Sequence, residues 1–210
     1  PFVRDELQRQ ENIVTEEVDI RVVSASEVIA MDEGPTALRH KPNASVKVAA
    51  ELVANGEAAA FFSAGNTGAT LIAAHSVFGM MPGVDRPALA TTIPTRHRDA
   101  VLLDVGATID CRPRHLLQFA AMGTVYAERV LGIANPRVGL LSIGEEAIKG
   151  NELTRDAHHL LSKSDIRFIG NLEARDLYSG DADVVVCDGF TGNVALKVSE
   201  GLVEVFEDLL

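Results

Sequence analysis

The stretch Asp183-Val184-Val185-Val186-Cys187-Asp188-Gly189-Phe190-Thr191-Gly192-Asn193 passes from an uninterrupted apolar run into a glycine-rich turn. A segment of helical period follows, at 193–209. An apolar run without alternation reads as a strand covered on both faces. A strand, a turn with two glycines and then a helix is one unit of a doubly wound α/β sheet. Working outward, six further runs read as strands, at 19–25, 58–64, 88–93, 101–106, 138–143 and 166–169. Helical segments at 45–55, 67–78, 114–130 and 151–162 separate most of them. Between the runs at 88–93 and 101–106 lies little more than the polar turn Thr95-Arg96-His97-Arg98-Asp99. A parallel crossover needs a dozen or more residues, so this pair reads as an antiparallel hairpin. The predicted fold is α/β, with a mixed, mostly parallel sheet.

Ligands of open α/β sheets bind beyond the carboxyl ends of the strands. The unusual chemistry of this chain falls in those segments. Four of its eight asparagines directly follow a glycine, at Gly65-Asn66, Gly150-Asn151, Gly170-Asn171 and Gly192-Asn193. Each pair reads either as a turn or helix cap or, taken with the others, as part of one shared cleft. Ser63-Ala64-Gly65-Asn66-Thr67-Gly68 stands before a helix, where backbone N–H groups make an anion site. Asp188–Asn193 repeats the arrangement, with Thr191 and Asn193 as donors. Neither cluster meets a nucleotide fingerprint, because the Walker lysine and the Gly-x-Gly-x-x-Gly spacing are missing. Inorganic phosphate or an acyl phosphate is the ligand class they suggest together.

Lys149 lies in the acidic loop Gly144-Glu145-Glu146 to Lys149-Gly150-Asn151-Glu152. It could hold a phosphate or polarise a carbonyl oxygen, or it could pair with Glu145, Glu146 or Glu152. Asp104 and Asp188 end apolar runs and could position groups or act as a base; for Asp104, capping of the following turn is the favoured role. His158 and His159 are adjacent and face different sides of their helix, so they make no metal pair. No metal and no cofactor is expected. Cys187 reads as a small buried hydrophobe, and Cys111 as a loop thiol. Two cysteines without a metal spacing fit a reducing cytosol. The net charge of −11, an aromatic content of 5% and the absence of Trp oppose nucleic-acid binding. No run reaches the ~20 apolar residues of a membrane span.

Several of these motifs resemble the bacterial phosphate acyltransferases known as PlsX. They are Phe62-Ser63-Ala64-Gly65-Asn66-Thr67-Gly68-Ala69, Asp85-Arg86-Pro87-Ala88, Leu103-Asp104-Val105-Gly106-Ala107, Gly139 to Glu146 with Lys149-Gly150-Asn151-Glu152, and Asp183 to Lys197. The resemblance implies a Rossmann-like three-layer α/β/α fold related to the isocitrate and isopropylmalate dehydrogenases and to phosphotransacetylases. It implies transfer of a long-chain acyl group from acyl carrier protein to inorganic phosphate, giving an acyl phosphate for phospholipid synthesis. A cytoplasmic homodimer in peripheral contact with the inner membrane face is implied as well. It places Asn66, Thr67, Gly68, Lys149, Asn151, Asp188 and Asn193 around the cleft without assigning their roles; Lys149, Asn193 and Asn66 are taken as the catalytic candidates. Gly65, Thr67, Gly68, Asn151, Asp188, Thr191 and Gly192 are taken as the phosphate- or substrate-binding candidates. The chain reads as a single acyltransferase domain over 1–210 that lacks the family's opening Asp-Ala-Met-Gly-Gly-Asp strand and its C-terminal segment. Thr108 stands where the family often has Asn, and Ala174 where Gly is usual. Two other readings are a short-chain acyl-CoA phosphotransferase and a non-catalytic dimerisation or binding module. An acidic carrier protein would need a local basic patch, for which Arg96, Arg98, Arg112 and Arg114 are candidates.

Overall fold

The computed structural model describes residues 20–210, and two compact units divide at Gly79 and Met80. In the first unit, α1 (Ser45–Ala54) and α2 (Thr67–Phe78) follow a 3₁₀ turn at Pro35–Arg39. Small residues let these helices approach, and Ala44, Ala69 and Ala73 share a core with Ile29 and Leu38. Asn66 caps α2 by accepting from Ala69 N at 3.0 Å, and Gly79 ends it at φ 70°.

Among the described residues, those at 20–25 and 58–64 form no strand. Asp19 lies outside the described residues, and 20–25 and 58–64 have no ladder partner. A strand exists only where a neighbour takes its backbone groups. Among the described residues of this unit, the Glu27–Ala44 bridge is the single such pairing. Phe62, read as covered on both faces, is 91% exposed.

The second unit is a five-stranded sheet. Its strands are β1 (Ala90–Ile93), β2 (Ala100–Leu103), β3 (Val138–Leu141), β4 (Phe168–Leu172) and β5 (Val184–Val186), in the order β1-β2-β5-β3-β4. β1 is antiparallel to β2, as the short connection predicts, and every other pairing is parallel. The unbroken apolar runs are explained by two cores. Val101, Leu103, Val138, Leu140, Val184 and Val186 face one core, which is completed by α3 (Pro113–Arg129) and α4 (Glu152–Leu161). Leu102, Leu141, Leu172 and Val185 face the other, with Leu177 and with Ala195 of α5 (Gly189–Leu209). Alternation persists, but both faces are apolar. A Cβ on Gly123 of α3 would stand 2.5 Å from Val184 Cγ1 and 2.9 Å from Leu103 Cδ2, so glycine lets this helix press onto the sheet.

At the amino end of β3 and β5, Arg137 grips Asp183. Its backbone N and Nε donate to Oδ2 at 2.8 and 3.0 Å, and Nη2 donates to Oδ1 at 3.0 Å. Burial alone would raise the Asp183 pKa, but the hydrogen bonds from Arg137 outweigh it and hold the carboxyl below its ordinary 3.8. A depressed folded-state pKa contributes stability that is whole above the unfolded value and is lost as pH falls through the folded one. Asp183→Asn is therefore expected to lower the Tm at pH 7, and its deficit against the parent should shrink as the pH drops below about 4. Thermal melts from pH 7 to pH 3 test this; a constant deficit would mean the charge is not what stabilises.

Candidate active site

Parallel pairing brings the carboxyl ends of β2, β5, β3 and β4 to one edge. Asp104, Asp188, Ser142 and Glu173 directly or nearly follow those ends. Asp104 organises the first loop. Its side chain is fully buried, and Oδ1 accepts from the backbone N of Leu89, Gly106 and Ala107 at 2.9, 3.0 and 2.9 Å. Oδ2 accepts from Thr108 N at 2.6 Å. The turn-organising role favoured for Asp104 is what its contacts describe.

α5 starts on this loop, four residues earlier than its helical period suggests. Gly189 N donates to Thr108 O at 2.9 Å. A Cβ on Gly192 would collide with the Asp104 carbonyl oxygen, and one on Gly189 would lie 2.8 Å from Asp104 Oδ2. These glycines are demanded by close approach of the helix to the loop. Asp188 caps the helix, accepting from Thr191 N at 2.9 Å and from Thr191 Oγ1 at 2.7 Å. The Thr191 hydroxyl is thus committed to Asp188. Asn193 is exposed, and its Nδ2 lies 3.1 Å from where a Cβ of Gly106 would stand.

The second wall is the segment between β3 and α4. Asn151 caps α4 by accepting from Thr154 N at 2.9 Å. Gly150, at φ +95°, has no room for a Cβ against Thr154 Oγ1 and lies close to Ser142 Oγ. Lys149 is exposed, and its N donates to Glu146 O at 2.9 Å. Among the described residues it pairs with none of Glu145, Glu146 and Glu152 within 4.0 Å. Asn171 fixes this segment from below: Nδ2 donates to Glu146 O at 2.9 Å, while Oδ1 meets His158 Nδ1 at 3.0 Å. His158 also meets Phe168 edge-on, with ring centroids 5.0 Å apart.

The four glycine-asparagine pairs therefore resolve into different devices. Asn66 and Asn151 are helix caps, Asn171 is a buried cross-link inside β4, and Asn193 lies within the first turns of α5. Gly65, Asn66, Thr67 and Gly68 belong to the first unit. There Asn66 Nδ2 donates to Ala30 O and Glu33 O at 3.2 and 2.8 Å, so both ends of its amide are engaged. Lys149, Asn151, Asp188, Thr191, Gly192 and Asn193 belong to the second. Asn171, flagged only as one of the four glycine-asparagine pairs just beyond the run at 166–169, proves to be a positioning residue because the strand runs on through it to Leu172.

A cavity of about 570 Å³ opens between these walls. Gly150, Asn151, Asp188 and Thr191 border its polar end, and Leu177, Tyr178, Val194, Val198 and Leu202 line it further along, together with Arg175 and Ser199. The Ser142 hydroxyl, also on its wall, is buried without a hydrogen-bond partner among the described residues.

The basic candidates separate. Arg98 lies beside Asp183 at 3.3 Å, at the amino edge of the sheet. Arg112 and Arg114 sit at the start of α3, where Arg114 meets Asp85 at 3.1 Å. Cys111 packs nearby. Burial, then the Asp104 and Asp188 carboxylates, push its thiol up to about 11. The thiolate is the nucleophile, so Cys111 should alkylate with iodoacetamide at pH 7.5 at least tenfold more slowly than a small-molecule thiol. Mass-spectrometric rates would show it, and labelling as fast as glutathione would refute it. Among the described residues no His, Cys, Asp or Glu cluster could hold a metal ion, and no helix is long and apolar enough to cross a membrane.

The fold is shared with a phosphotransacetylase, EutD from Staphylococcus aureus, at TM-score 0.56 and 18% identity over 96% of this chain and 63% of that one. A branched-chain phosphotransacylase from Enterococcus faecalis V583 matches at TM-score 0.54 and 19% identity, over 73% of this chain and 63% of its own. Sequence similarity is much higher to proteins named phosphate acyltransferase. The one from Heliobacterium modesticaldum is 55% identical over 90% of this chain and 57% of its own length. That of a Geobacter species is 53% identical over 99% of this chain and 58% of its own. The chain spans a little over half the length of these relatives. A family model described as fatty acid synthesis protein matches residues 3–210, and the chain belongs to that family, the family of the phosphate acyltransferases.

Proposed function

We propose that the protein transfers a long-chain acyl group from acyl carrier protein to inorganic phosphate. The observation that carries this reading is 53% identity to a protein named phosphate acyltransferase over 99% of this chain. The polar end of the cavity suits the reaction. A phosphate oxygen attacks the thioester carbonyl, forming the C–O bond as the C–S bond breaks. The proton of hydrogen phosphate ends on the departing thiol, and acyl phosphate is released. A thiolate leaves readily, so the protein's task is orientation and charge stabilisation. Lys149 holds the phosphate with help from the Asn151 amide N–H, while Thr191, whose N and hydroxyl both donate to Asp188, shapes the helix start. Asn193, whose amide is exposed at the start of α5, donates to the developing oxyanion. In the first unit, taken by itself, the backbone of Gly65, Thr67 and Gly68 at the start of α2 suits an anion, and Asn66 shapes that turn.

The test is phosphate-dependent release of carrier-protein thiol from palmitoyl acyl carrier protein by the full natural protein. Release that requires phosphate supports the reading. Turnover of acetyl- or butyryl-CoA with none from the carrier protein would make it a short-chain phosphotransferase. No turnover of any acyl thioester would leave a binding module. The same reading makes the protein a cytoplasmic homodimer that meets the inner membrane face, where its product would partition. Light scattering and flotation with anionic vesicles test those two statements, and a monomer that never floats would refute both.

A further inference from the structure

Resting on the reading that Lys149 holds the phosphate, we infer that His158 is a positioning residue of the reaction, setting the Asn171 amide and through it the turn that carries the lysine. From 143 to 149 the chain is exposed apart from Gly144. Among the described residues, a single hydrogen bond ties that stretch to the rest of the fold. It runs from Asn171 Nδ2 to Glu146 O at 2.9 Å. The same carbonyl accepts from Lys149 N at 2.9 Å, closing the turn 146–149. A carbonyl oxygen has two lone pairs and takes both donors. Whatever fixes Asn171 therefore fixes the turn on which Lys149 stands.

The direction of each bond follows from the groups involved. Glu146 O can only accept, so the NH₂ end of the Asn171 amide faces it and Oδ1 faces His158. Oδ1 also only accepts, so the ring carries its proton on Nδ1, which donates at 3.0 Å. The other neutral tautomer would set a bare Nδ1 lone pair against Oδ1. Turning the amide over to relieve that clash would set Oδ1 against Glu146 O, acceptor against acceptor, and release the turn. Asn171 is 5% exposed, so water does not readily replace a lost partner. Phe168 meets the half-buried His158 ring edge-on and holds it in place. His158 stands seven residues after the Asn151 cap, about two turns along one face of α4. One helix thus supplies Asn151 to the cavity and His158 to β4.

The experiment follows phosphate-dependent thiol release by the full natural protein, with KM taken separately for phosphate and for the acyl thioester. His158→Ala removes the donor and should raise KM for phosphate about tenfold, roughly the worth of one hydrogen bond. KM for the thioester should stay within about twofold of the parent. His158→Asn, whose Nδ2 lies as far along the side chain as the histidine Nδ1, should recover most of the affinity. In a Lys149→Ala background, His158→Ala should raise KM for phosphate no further, because both act through one contact. A residue that only supported the fold would lower Tm and the active fraction and leave both KM values unchanged. That result overturns the inference, as does a rise that persists in the Lys149→Ala background. ¹⁵N NMR of labelled histidine reads the tautomer without turnover, and a neutral His158 ring protonated on Nε2 overturns it as well. If the parent transfers no acyl group to phosphate, or Lys149→Ala keeps the parent's kinetics, the underlying reading has failed first and the inference falls with it.

Discussion

Asp104→Ala is expected to be the most damaging single substitution in the second unit, lowering stability by upwards of about 4 kcal/mol. The side chain is fully buried and accepts from four backbone N–H groups, those of Leu89, Gly106, Ala107 and Thr108. Truncation leaves all four without their acceptor; Thr108 is buried and the other three donors are half-buried, so the loss is heaviest at Thr108. Each orphaned buried donor costs about 1–3 kcal/mol, against a total stability of about 5–15 kcal/mol for a domain. Asp104→Asn separates hydrogen bonding from charge. Its amide oxygen can keep the three donors now on Oδ1, but its NH₂ would face Thr108 N–H at the 2.6 Å position of Oδ2. We expect the Asn variant to lose roughly half of what the Ala variant loses. Denaturant melts of both would check it, and an Ala variant within 1 kcal/mol of the parent would sink the account. Function should fall with the loop, because α5 rests on it through Gly189 N to Thr108 O and the Gly192 contact with the Asp104 carbonyl.

That dependence explains what could be read from the residues alone. The sheet of the second unit was legible because both of its faces are apolar, and runs such as Val184-Val185-Val186 announce themselves. The hairpin was legible because the chain between 93 and 100 is too short for anything else. At 19–25 and 58–64 the same apolar signal misled. Hydrophobicity reports a wish for cover, whereas a strand needs a neighbour's backbone, and sequence says nothing about who stands alongside. The glycine-asparagine pairs located the loops but not their roles. Gly and Asn recur wherever a backbone turns sharply or a helix begins, so a cap such as Asn151 and a cross-link such as Asn171 look alike. Asp188 and Thr191 were both legible as polar groups after a strand. That each satisfies the other was not, because side-chain pairing depends on a helix start displaced by four residues from the periodic segment.

Lys149→Ala should leave the fold intact and lower kcat/KM for phosphate-dependent acyl transfer by about 10²-fold. Its backbone is held on both sides. Lys149 N donates to Glu146 O, the same carbonyl that Asn171 Nδ2 holds, and Gly150 at φ +95° turns the chain into the Asn151 cap. The side-chain stem crosses the buried Gly144, where a Cβ would stand 2.9 Å from Lys149 Cγ. A lysine that merely balanced local charge would pair with Glu145, Glu146 or Glu152, and among the described residues it is within 4.0 Å of none. The segment thus carries an exposed lysine on a rigid base, next in sequence to Gly150 at the cavity, and the proposed role is that its ammonium holds the phosphate there. Because the side chain is exposed, its removal should move stability by no more than about 0.5 kcal/mol. A binding role also predicts how the loss divides. KM for phosphate should rise while KM for the acyl thioester stays near the parent value. Lys149→Arg, which keeps the charge but spreads it over a fork, should recover part of the rate. Wild-type kinetics in Lys149→Ala, or equal losses in Lys149→Ala and Lys149→Arg with a lowered Tm, would remove the lysine from the reaction and return the segment to a structural role.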